Sequence, residues 1–250
     1  MFNSPLRYPG GKDRLARFIA LISEKNGVGG HYVEPYAGGG AVALYLLFNG
    51  YVREVTINDL DRSVYAFWHS ILYHTRRFCN RIADVDVNMD NWNRFRAIQN
   101  EKAESPLFEL GFSTFFLNRT NMSGIIRGGV IGGKNQNGAY KMDCRFGRGG
   151  LIDRITRISK YKDKIRPSCL DAMDLVKKIQ AGQNSADTVF YFDPPYYIKG
   201  PLLYMDHYAQ KDHVRVAKQI QSIKHAKWMV SYDDMPEIEK MYADLSLIHI

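Results

Sequence analysis

Groups able to hold an amine occur together in one short stretch, Asp193-Pro194-Pro195-Tyr196, directly after the apolar run Thr188–Phe192. The run predicts a buried strand that ends at a rigid loop, because each proline fixes its own φ angle. The carboxylate of Asp193 and the backbone carbonyl of Pro194 are acceptors, and neither proline has an N–H that would compete with an incoming amine. The ring of Tyr196 offers a face on which a planar base could stack. The stretch therefore predicts a site for an aromatic amine; a plain strand and turn is the alternative.

Two glycine-containing segments earlier in the chain are typical of loops that approach a ligand. The first, Arg7-Tyr8-Pro9-Gly10-Gly11-Lys12, precedes a helical pattern, so its N–H groups and Lys12 could face an anion, although Pro-Gly-Gly is often only a turn. The second, Tyr36–Gly40, lies between a predicted strand at 31–35 and an apolar helix. It lacks the G-x-G-x-x-G spacing and a P-loop lysine, which disfavours a dinucleotide or a triphosphate.

An acidic residue ends the second predicted strand. The strand Glu54–Ile57 runs into Asn58 and Asp59, about 20 residues after the glycine loop, where a carboxylate can hold the hydroxyls of a ribose. The alternative for Asp59 is an N-cap of the helix that follows.

The remaining pattern alternates strands and helices, which is typical of a parallel sheet with right-handed crossovers. Further strands are predicted at 165–170, 188–192, 227–232 and 245–250. Residues 61–117 are predicted to form three helices, with breaks near 84–91 and 104–106.

The positive charge belongs to the middle of the chain. The 250 residues carry a formal net charge of +8, and from Arg76 to Arg166 there are 18 lysines and arginines against 9 acidic residues. Within that part, residues 118–150 hold nine glycines, six basic residues and one acid, which predicts a basic loop region with a hairpin near Asn137-Gly138. Such a segment suits a nucleic-acid backbone, and a merely solvated loop is the alternative.

The three cysteines are widely separated, match no zinc spacing and leave an odd thiol, which favours a reduced, intracellular protein. No apolar run approaches the ~18 residues needed to cross a bilayer. The sequence predicts a cytoplasmic protein with no membrane segment and no metal site.

Taken in order, these motifs resemble those of the Dam-like, α-class adenine-specific DNA methyltransferases. The matching stretches span nearly the whole chain: Tyr8–Lys12, Glu34–Gly40, Asn58-Asp59, Leu117–Arg119 with Ser123–Arg127, and Asp193–Tyr196. The resemblance implies an α/β fold in which residues 1–75 and 160–250 form a Rossmann-like catalytic domain. A mainly helical target-recognition domain would be inserted at 76–159. It further implies S-adenosylmethionine as cofactor, double-stranded DNA as partner, and methyl transfer to N6 of a flipped adenine in a specific sequence.

The resemblance also implies roles for individual residues. The expected catalytic residues are Asp193, Pro194 and Tyr196. The expected cofactor-binding residues are Tyr8, Lys12, Glu34, Ala37, Gly38, Gly40, Asp59, Asp171 and Asp193. The expected DNA-binding residues are Asn118, Arg119, Arg127, Lys134, Arg145 and Arg148. Tyr8 stands where some members have Trp, no metal is required, and a restriction endonuclease could be a cellular partner without forming a stable complex.

Other functions remain open at this point. The same fold could methylate a cytosine amine, an RNA base or a protein amide; family resemblance favours adenine, because cytosine-amine enzymes more often carry Ser and protein-amide enzymes Asn at the position of Asp193. A non-enzymatic DNA-binding remnant of a methyltransferase is a second alternative. A nicotinamide-dependent oxidoreductase is disfavoured by the glycine pattern.

The end of the chain predicts an incomplete sheet. Six strands are predicted, whereas the family's sheet has seven, with the last antiparallel between the fifth and sixth. Ile250 falls inside the apolar run that starts at Leu245. We therefore expect the C-terminal strand to be missing and the remaining edge to be destabilised.

Overall fold

The computed structural model describes residues 3–7, 11–182, 185–197 and 208–245, and these form a parallel sheet covered by helices. The described residues contain five strands: β1 His31–Glu34, β2 Glu54–Asn58, β3 Ile165–Ser168, β4 Thr188–Phe192 and β5 Lys227–Val230. The same residues contain ten α-helices: α1 Ala16–Lys25, α2 Ala41–Phe48, α3 Arg62–Tyr73, α4 Thr75–Asp84, α5 Met89–Asn100, α6 Leu107–Thr120, α7 Arg148–Ser159, α8 Ala172–Gln180, α9 Gln210–Gln221 and α10 Pro236–Met241.

The strands lie in the order β3-β2-β1-β4-β5, and every neighbouring pair is parallel. In the centre, His31 of β1 pairs with Glu54 of β2 on one side and with Thr188 of β4 on the other. From the central β1, the chain adds β2 and β3 on one side of the sheet and then returns to add β4 and β5 on the other side. The order in which strands are added therefore reverses between β1 and β4. In open parallel sheets, the crevice beyond the carboxyl ends of the strands at such a reversal is where ligands bind.

The predicted α/β fold is confirmed. Five of the six predicted strands are present, and β4 has the predicted bounds. The sixth predicted strand falls almost entirely on residues 246–250, which lie outside the described residues. The expected absence of a C-terminal strand therefore stays a prediction.

Alternating side chains of the strands serve two separate layers of core. Tyr32, Val189 and Tyr191 belong to a large cluster with helices α1 to α3, whereas Val33 and Phe190 belong to a smaller cluster with α8 and α9. This follows from the period of two along a strand, which sends successive side chains to opposite faces. Because both faces are buried, β4 is apolar along its whole length, which made it easy to predict.

Residues 62–120 form four helices, so the prediction of three is wrong. The additional break lies at His74, whose φ of −129° and ψ of 33° are not helical, and which ends α3 immediately before α4 begins. The turn lets Phe78 of α4 fold back against Phe67 of α3, with ring centroids 5.9 Å apart. The breaks predicted near 84–91 and 104–106 are present.

Helix α6 is buried at most of its positions, polar as well as apolar. Its Phe115 lies 5.4 Å from Phe78 and 6.2 Å from Phe67, measured between ring centroids. One hydrophobic cluster therefore runs from the sheet through α3 into the helices that follow it. The boundaries of the inserted domain, 76 and 159, stay a prediction.

The segment after α6 consists of turns, and the hairpin predicted near Asn137-Gly138 is wrong. Gly132, Gly133 and Gln136 have positive φ angles and coil the chain, and the side-chain amide of Gln136 donates to the carbonyls of Ile131 and Gly133. Asn121 and Val130 form an isolated antiparallel bridge. In the described part of the chain, no helix is long and apolar enough to cross a membrane.

Candidate active site

The loop between β1 and α2 brings the backbone close to the carboxyl edge of the sheet. Gly38 and Gly40 have φ angles of +47° and +58°, a region that L side chains rarely adopt. A Cβ on Gly40 would also lie 2.8 Å from Cζ2 of Trp68, whose indole N–H donates to the carbonyl of Gly38 at 2.9 Å. Glycine is therefore required at Gly40 by both dihedral angle and space.

Asp59 holds this loop against the end of β2. One carboxylate oxygen accepts from the N–H of Gly38 at 3.0 Å and the other from the N–H of Asp61 at 2.9 Å. The N-cap of α3 is Asp61, which accepts from the N–H of Ser63, so the capping alternative for Asp59 is not the one observed. A carboxylate offers about four acceptor positions and is the kind of group that can hold a ligand's hydroxyls.

Glu34, at the end of β1, is almost fully buried beside this loop. Its Oε1 accepts from the hydroxyl of Tyr32 and from the N–H of Ala43 in the first turn of α2, both at 3.0 Å. Burial raises the pKa of Glu34 to about 8, with the two hydrogen bonds opposing the rise. At neutral pH this acid is therefore mainly protonated.

Asp193 stands at the end of β4, where its carboxylate meets two donors. The ammonium of Lys12 donates to both oxygens, at 2.6 and 2.7 Å, and the hydroxyl of Ser231 donates to Oδ1 at 2.7 Å. Burial raises the pKa of Asp193, and Lys12 and Ser231 oppose that rise. For Lys12, burial lowers the pKa, but the charge and hydrogen bond of Asp193, together with Tyr196, outweigh it and raise the pKa. Lys12 is therefore protonated.

The two other predicted catalytic residues, Pro194 and Tyr196, lie in the loop directly after Asp193. Pro194 is buried, whereas Tyr196 is partly exposed and its hydroxyl accepts from Lys12 at 3.1 Å. The Lys12 nitrogen also lies 5.1 Å from the centroid of the Tyr196 ring. The acceptor role of the Pro194 carbonyl stays a prediction.

A single cavity collects many of the predicted cofactor-binding and catalytic residues. Its lining includes Lys12, Glu34, Ala37, Gly40, Asp59 and Asp193. Gly38 contributes its N–H to Asp59, and Asp171 instead caps α8 through the N–H groups of Met173 and Asp174. Tyr8 lies outside the described residues.

Sequence reasoning missed Ser231, which follows β5. Its hydroxyl also contacts the hydroxyl of Tyr191 at 2.8 Å, and because its proton goes to Asp193, the buried Tyr191 is the donor in that contact. Burial, with Asp193 nearby, raises the pKa of Tyr191, so this donor keeps its proton. In the sequence Ser231 follows the stretch Lys227–Val230 directly, which does not by itself indicate a contact with Asp193.

A comparison with known families shows which activity the chain has. The model of the D12 class N6 adenine-specific DNA methyltransferases matches residues 8–250. The chain belongs to this family. A curated relative, the Type II methyltransferase M.MjaIII of Methanocaldococcus jannaschii, is 25% identical over 207 residues, covering 76% of this chain and 68% of the relative. The predicted family and activity, N6 methylation of adenine in DNA, are confirmed.

The predicted DNA-binding residues of this D12 class methyltransferase form two groups, one with exposed side chains and one whose side chains bond to the protein backbone. Arg127, Lys134 and Arg145 have exposed side chains. Asn118, Arg119 and Arg148, by contrast, are tied to the backbone of the protein itself. Their DNA-binding role stays a prediction.

Asn118 is 1% exposed. Its side chain accepts from the N–H of Arg7 at 2.7 Å and donates to the carbonyls of Arg7 and Gly124 at 2.8 Å. The geometry favours a role in holding the N-terminal segment over the direct DNA contact predicted for Asn118.

Arg148 donates to the carbonyls of Ile82 and Val85, at 2.6 and 2.8 Å, and so joins the start of α7 to the end of α4. Sequence reasoning also missed Arg96, whose guanidinium donates to the carbonyls of Arg127 and Gly128 at 2.9 and 3.0 Å. Arg96 thereby fixes the turn that presents Arg127.

The described residues contain no group of three or more His, Cys, Asp or Glu side chains that could hold a metal ion.

Proposed function

We propose that this D12 class enzyme uses S-adenosylmethionine as its methyl donor and acts on an adenine that has left the base stack of a specific double-stranded DNA sequence. The observation that carries the proposal is that Asp193 shares a cavity with Glu34, Gly40 and Asp59 at the reversal of the strand order.

The residues on the cofactor side of this cavity fit S-adenosylmethionine. Asp59 lines the cavity with a carboxylate, an acceptor suited to ribose hydroxyls, and the space at Gly40 is one that a Cβ would fill. When bound, S-adenosylmethionine supplies an electrophilic methyl group on a positively charged sulfur. The buried Glu34 carboxyl adds a polar group to the same wall.

Asp193 supports attack by the amine. The lone pair of the adenine N6 is delocalised into the ring, so hydrogen bonds from this amine to Asp193 and to the Pro194 carbonyl would favour a pyramidal nitrogen. The nitrogen would gain the methyl group as the bond between that methyl and the donor's sulfur breaks, which leaves a neutral thioether, and the nitrogen would then release one proton to solvent. The carboxylate of Asp193 stabilises the positive charge on the nitrogen until that proton leaves. The main task of the site is positioning.

Base flipping follows from the depth of the site. The side chain of Asp193 is 18% exposed and lies at the end of a strand buried on both faces, where a base stacked within a duplex cannot reach. The target base would therefore rotate out of the helix and stack on Tyr196.

Calorimetric titration with S-adenosylmethionine tests the cofactor. We expect saturable binding by the parent and, because Asp59→Ala loses a charged hydrogen-bond partner worth about 1.5–3 kcal/mol, a roughly ten- to hundred-fold weaker affinity in that variant. Asp163→Ala, which removes an exposed aspartate in the turn before β3, is the matched control. Equal affinities in the parent and Asp59→Ala would refute the assignment of Asp59.

Transfer of a tritiated methyl group to DNA tests the catalytic role. Asp193→Ala should lower the rate by at least ~10²–10³, because it removes the side chain that holds the amine. Activity within a few-fold of the parent would remove Asp193 from the mechanism.

Sequencing of methylated DNA from cells that express the protein tests site specificity. We expect methyladenine at one sequence motif, absent from cells expressing Asp193→Ala. A restriction endonuclease that cuts the same motif is the proposed cellular partner, and DNA from these cells should resist it. Methylation scattered without a motif would contradict the specific site.

A further inference from the structure

Four arginines from separate parts of the chain meet where residues 3–7 lie against α6 and α7. Arg119 donates to the carbonyl of Arg145 at 2.8 Å and to that of Pro5 at 3.5 Å. Arg154 donates to the carbonyl of Ser4 at 3.3 Å, and Arg7 is held through its backbone by Asn118. We call Arg7, Arg119, Arg145 and Arg154 the arginine cluster.

The cluster concentrates positive charge without a matching acid. In the described part of the chain, none of its four guanidinium groups forms an ion pair with a carboxylate. Burial, followed by Arg7, Arg154 and Arg145, lowers the pKa of Arg119 to about 10. Burial raises the pKa of the nearby Asp13 carboxyl, and the positive charge of Arg154 opposes that rise. Like charges held this close repel one another unless an anion lies between them.

Arg7 has hydrogen-bonding capacity that the described residues do not use. Its Nη1 is buried and finds no acceptor among them. A buried donor without a partner costs free energy, and more so when the group is charged. The guanidinium of Arg145 is exposed and makes no described hydrogen bond of its own. The cluster therefore has unused donors at its centre and at its rim.

We propose that the arginine cluster binds one phosphodiester group of the DNA backbone, an inference that rests on the proposed function. A phosphodiester carries a full negative charge and several acceptor oxygens, which match the planar fork of arginine. A base edge offers acceptors but no charge to offset four guanidinium groups. The N-terminal segment thus contributes to DNA binding, and it leads directly into the stretch that carries Lys12.

Melting experiments with low millimolar inorganic phosphate, at constant ionic strength, test the cluster without DNA or methyl transfer. The Tm of the parent should rise saturably, because an anion that binds only the folded state stabilises it. Arg7→Gln and Arg145→Gln should lose this rise and, in phosphate-free buffer, melt no lower than the parent because repulsion is relieved. Arg166→Gln, which removes a remote exposed arginine paired with Glu54, should respond as the parent does. A parent with no saturable rise, or an Arg145→Gln variant that keeps it, would overturn the proposal.

Salt-dependent binding to a fluorescent duplex tests whether the anion is a single DNA phosphate. Arg7→Gln and Arg145→Gln should each lower the slope of log affinity against log salt concentration by about one, while Arg166→Gln leaves it unchanged. If both arginines hold the same phosphate, the double variant should also lose about one rather than two. An unchanged slope, or an additive loss of about two, would overturn the single-phosphate site. If the slopes are as expected but the parent transfers no methyl group to DNA, the phosphate site stands and the proposed function is contradicted.

Discussion

Replacing Lys12 by Met should move the acid limb of kcat/KM for DNA methylation to higher pH. Lys12 is the counter-ion of Asp193, and their side chains are 17% and 18% exposed. Without the ammonium group, the ionised form of Asp193 is disfavoured, so its pKa rises above its already raised position. The enzyme must then reach a higher pH before Asp193 can accept from an amine.

The size of this shift follows from the burial of the pair. Removing one partner of a buried ion pair costs about 3–5 kcal/mol, and the residual exposure here favours the lower end. At about 1.4 kcal/mol for each pKa unit, a cost of ~3 kcal/mol corresponds to a shift of roughly two units. Ser231 remains as a donor to Asp193 and limits the shift.

The profile should be measured as kcat/KM at saturating methyl donor, because this quantity reports the pKa values of the enzyme before DNA binds. Lys25→Met, which removes an exposed lysine at the end of α1, is the matched control. A uniform loss of activity with the acid limb in its original place would refute the argument, since Lys12 would then act through contacts other than its charge on Asp193.

Three further predictions concern neighbouring groups. Folding raises the pKa of Glu34 from 4.5 to about 8, so its contribution to stability is fully present below pH 4.5 and is lost as the pH rises through 8. At pH 9, the free energy of unfolding of Glu34→Gln should therefore exceed that of the parent by up to roughly 4–5 kcal/mol. A pH–stability curve from urea unfolding that is the same for both proteins would contradict this. Ser231→Ala should lower kcat about 10–100-fold with little change in methyl-donor affinity, since it loses a hydrogen bond to a charged group, and Ser231→Thr should restore activity if the hydroxyl is responsible. Gly40→Ala should lower the Tm more than Gly50→Ala, because both positions have positive φ but only a Cβ at Gly40 would meet Trp68. Equal changes in Tm would show that Trp68 moves aside at no cost in stability.

The strand pattern was predictable because each strand is short and bounded by clear signals. The apolar run of β4 ends at two prolines, and β1 ends at a glycine loop. The break at His74 was not predictable, because Phe67, Ile71 and Phe78 continue an apolar helical pattern through it. Only the three-dimensional packing of Phe78 on Phe67 shows where the chain turns.

The position of a site residue was predictable where it directly follows a strand, as for Asp59 and Asp193, whose roles stay predictions. It was not predictable where a residue acts through a distant partner. Ser231 meets Asp193 from the next strand of the sheet, and no local spacing announces that contact. Asn118, expected from the family resemblance to bind DNA, is buried and bonded to the backbone of Arg7 and Gly124, contacts that no local pattern indicates, and its role at the DNA stays a prediction.

The hydrophobic cluster shared by α3, α4 and α6 bears on how sequence preference could be exchanged between enzymes of this family. A chimera joined at residue 76 would take Phe67 from one parent and Phe78 and Phe115 from another, across distances between ring centroids of 5.9 and 6.2 Å. Mismatched volumes there create cavities or overpacking of the kind that costs a few kcal/mol at each site. Donor segments that begin before α3, and so transplant both sides of this aromatic seam, should fold where shorter grafts do not.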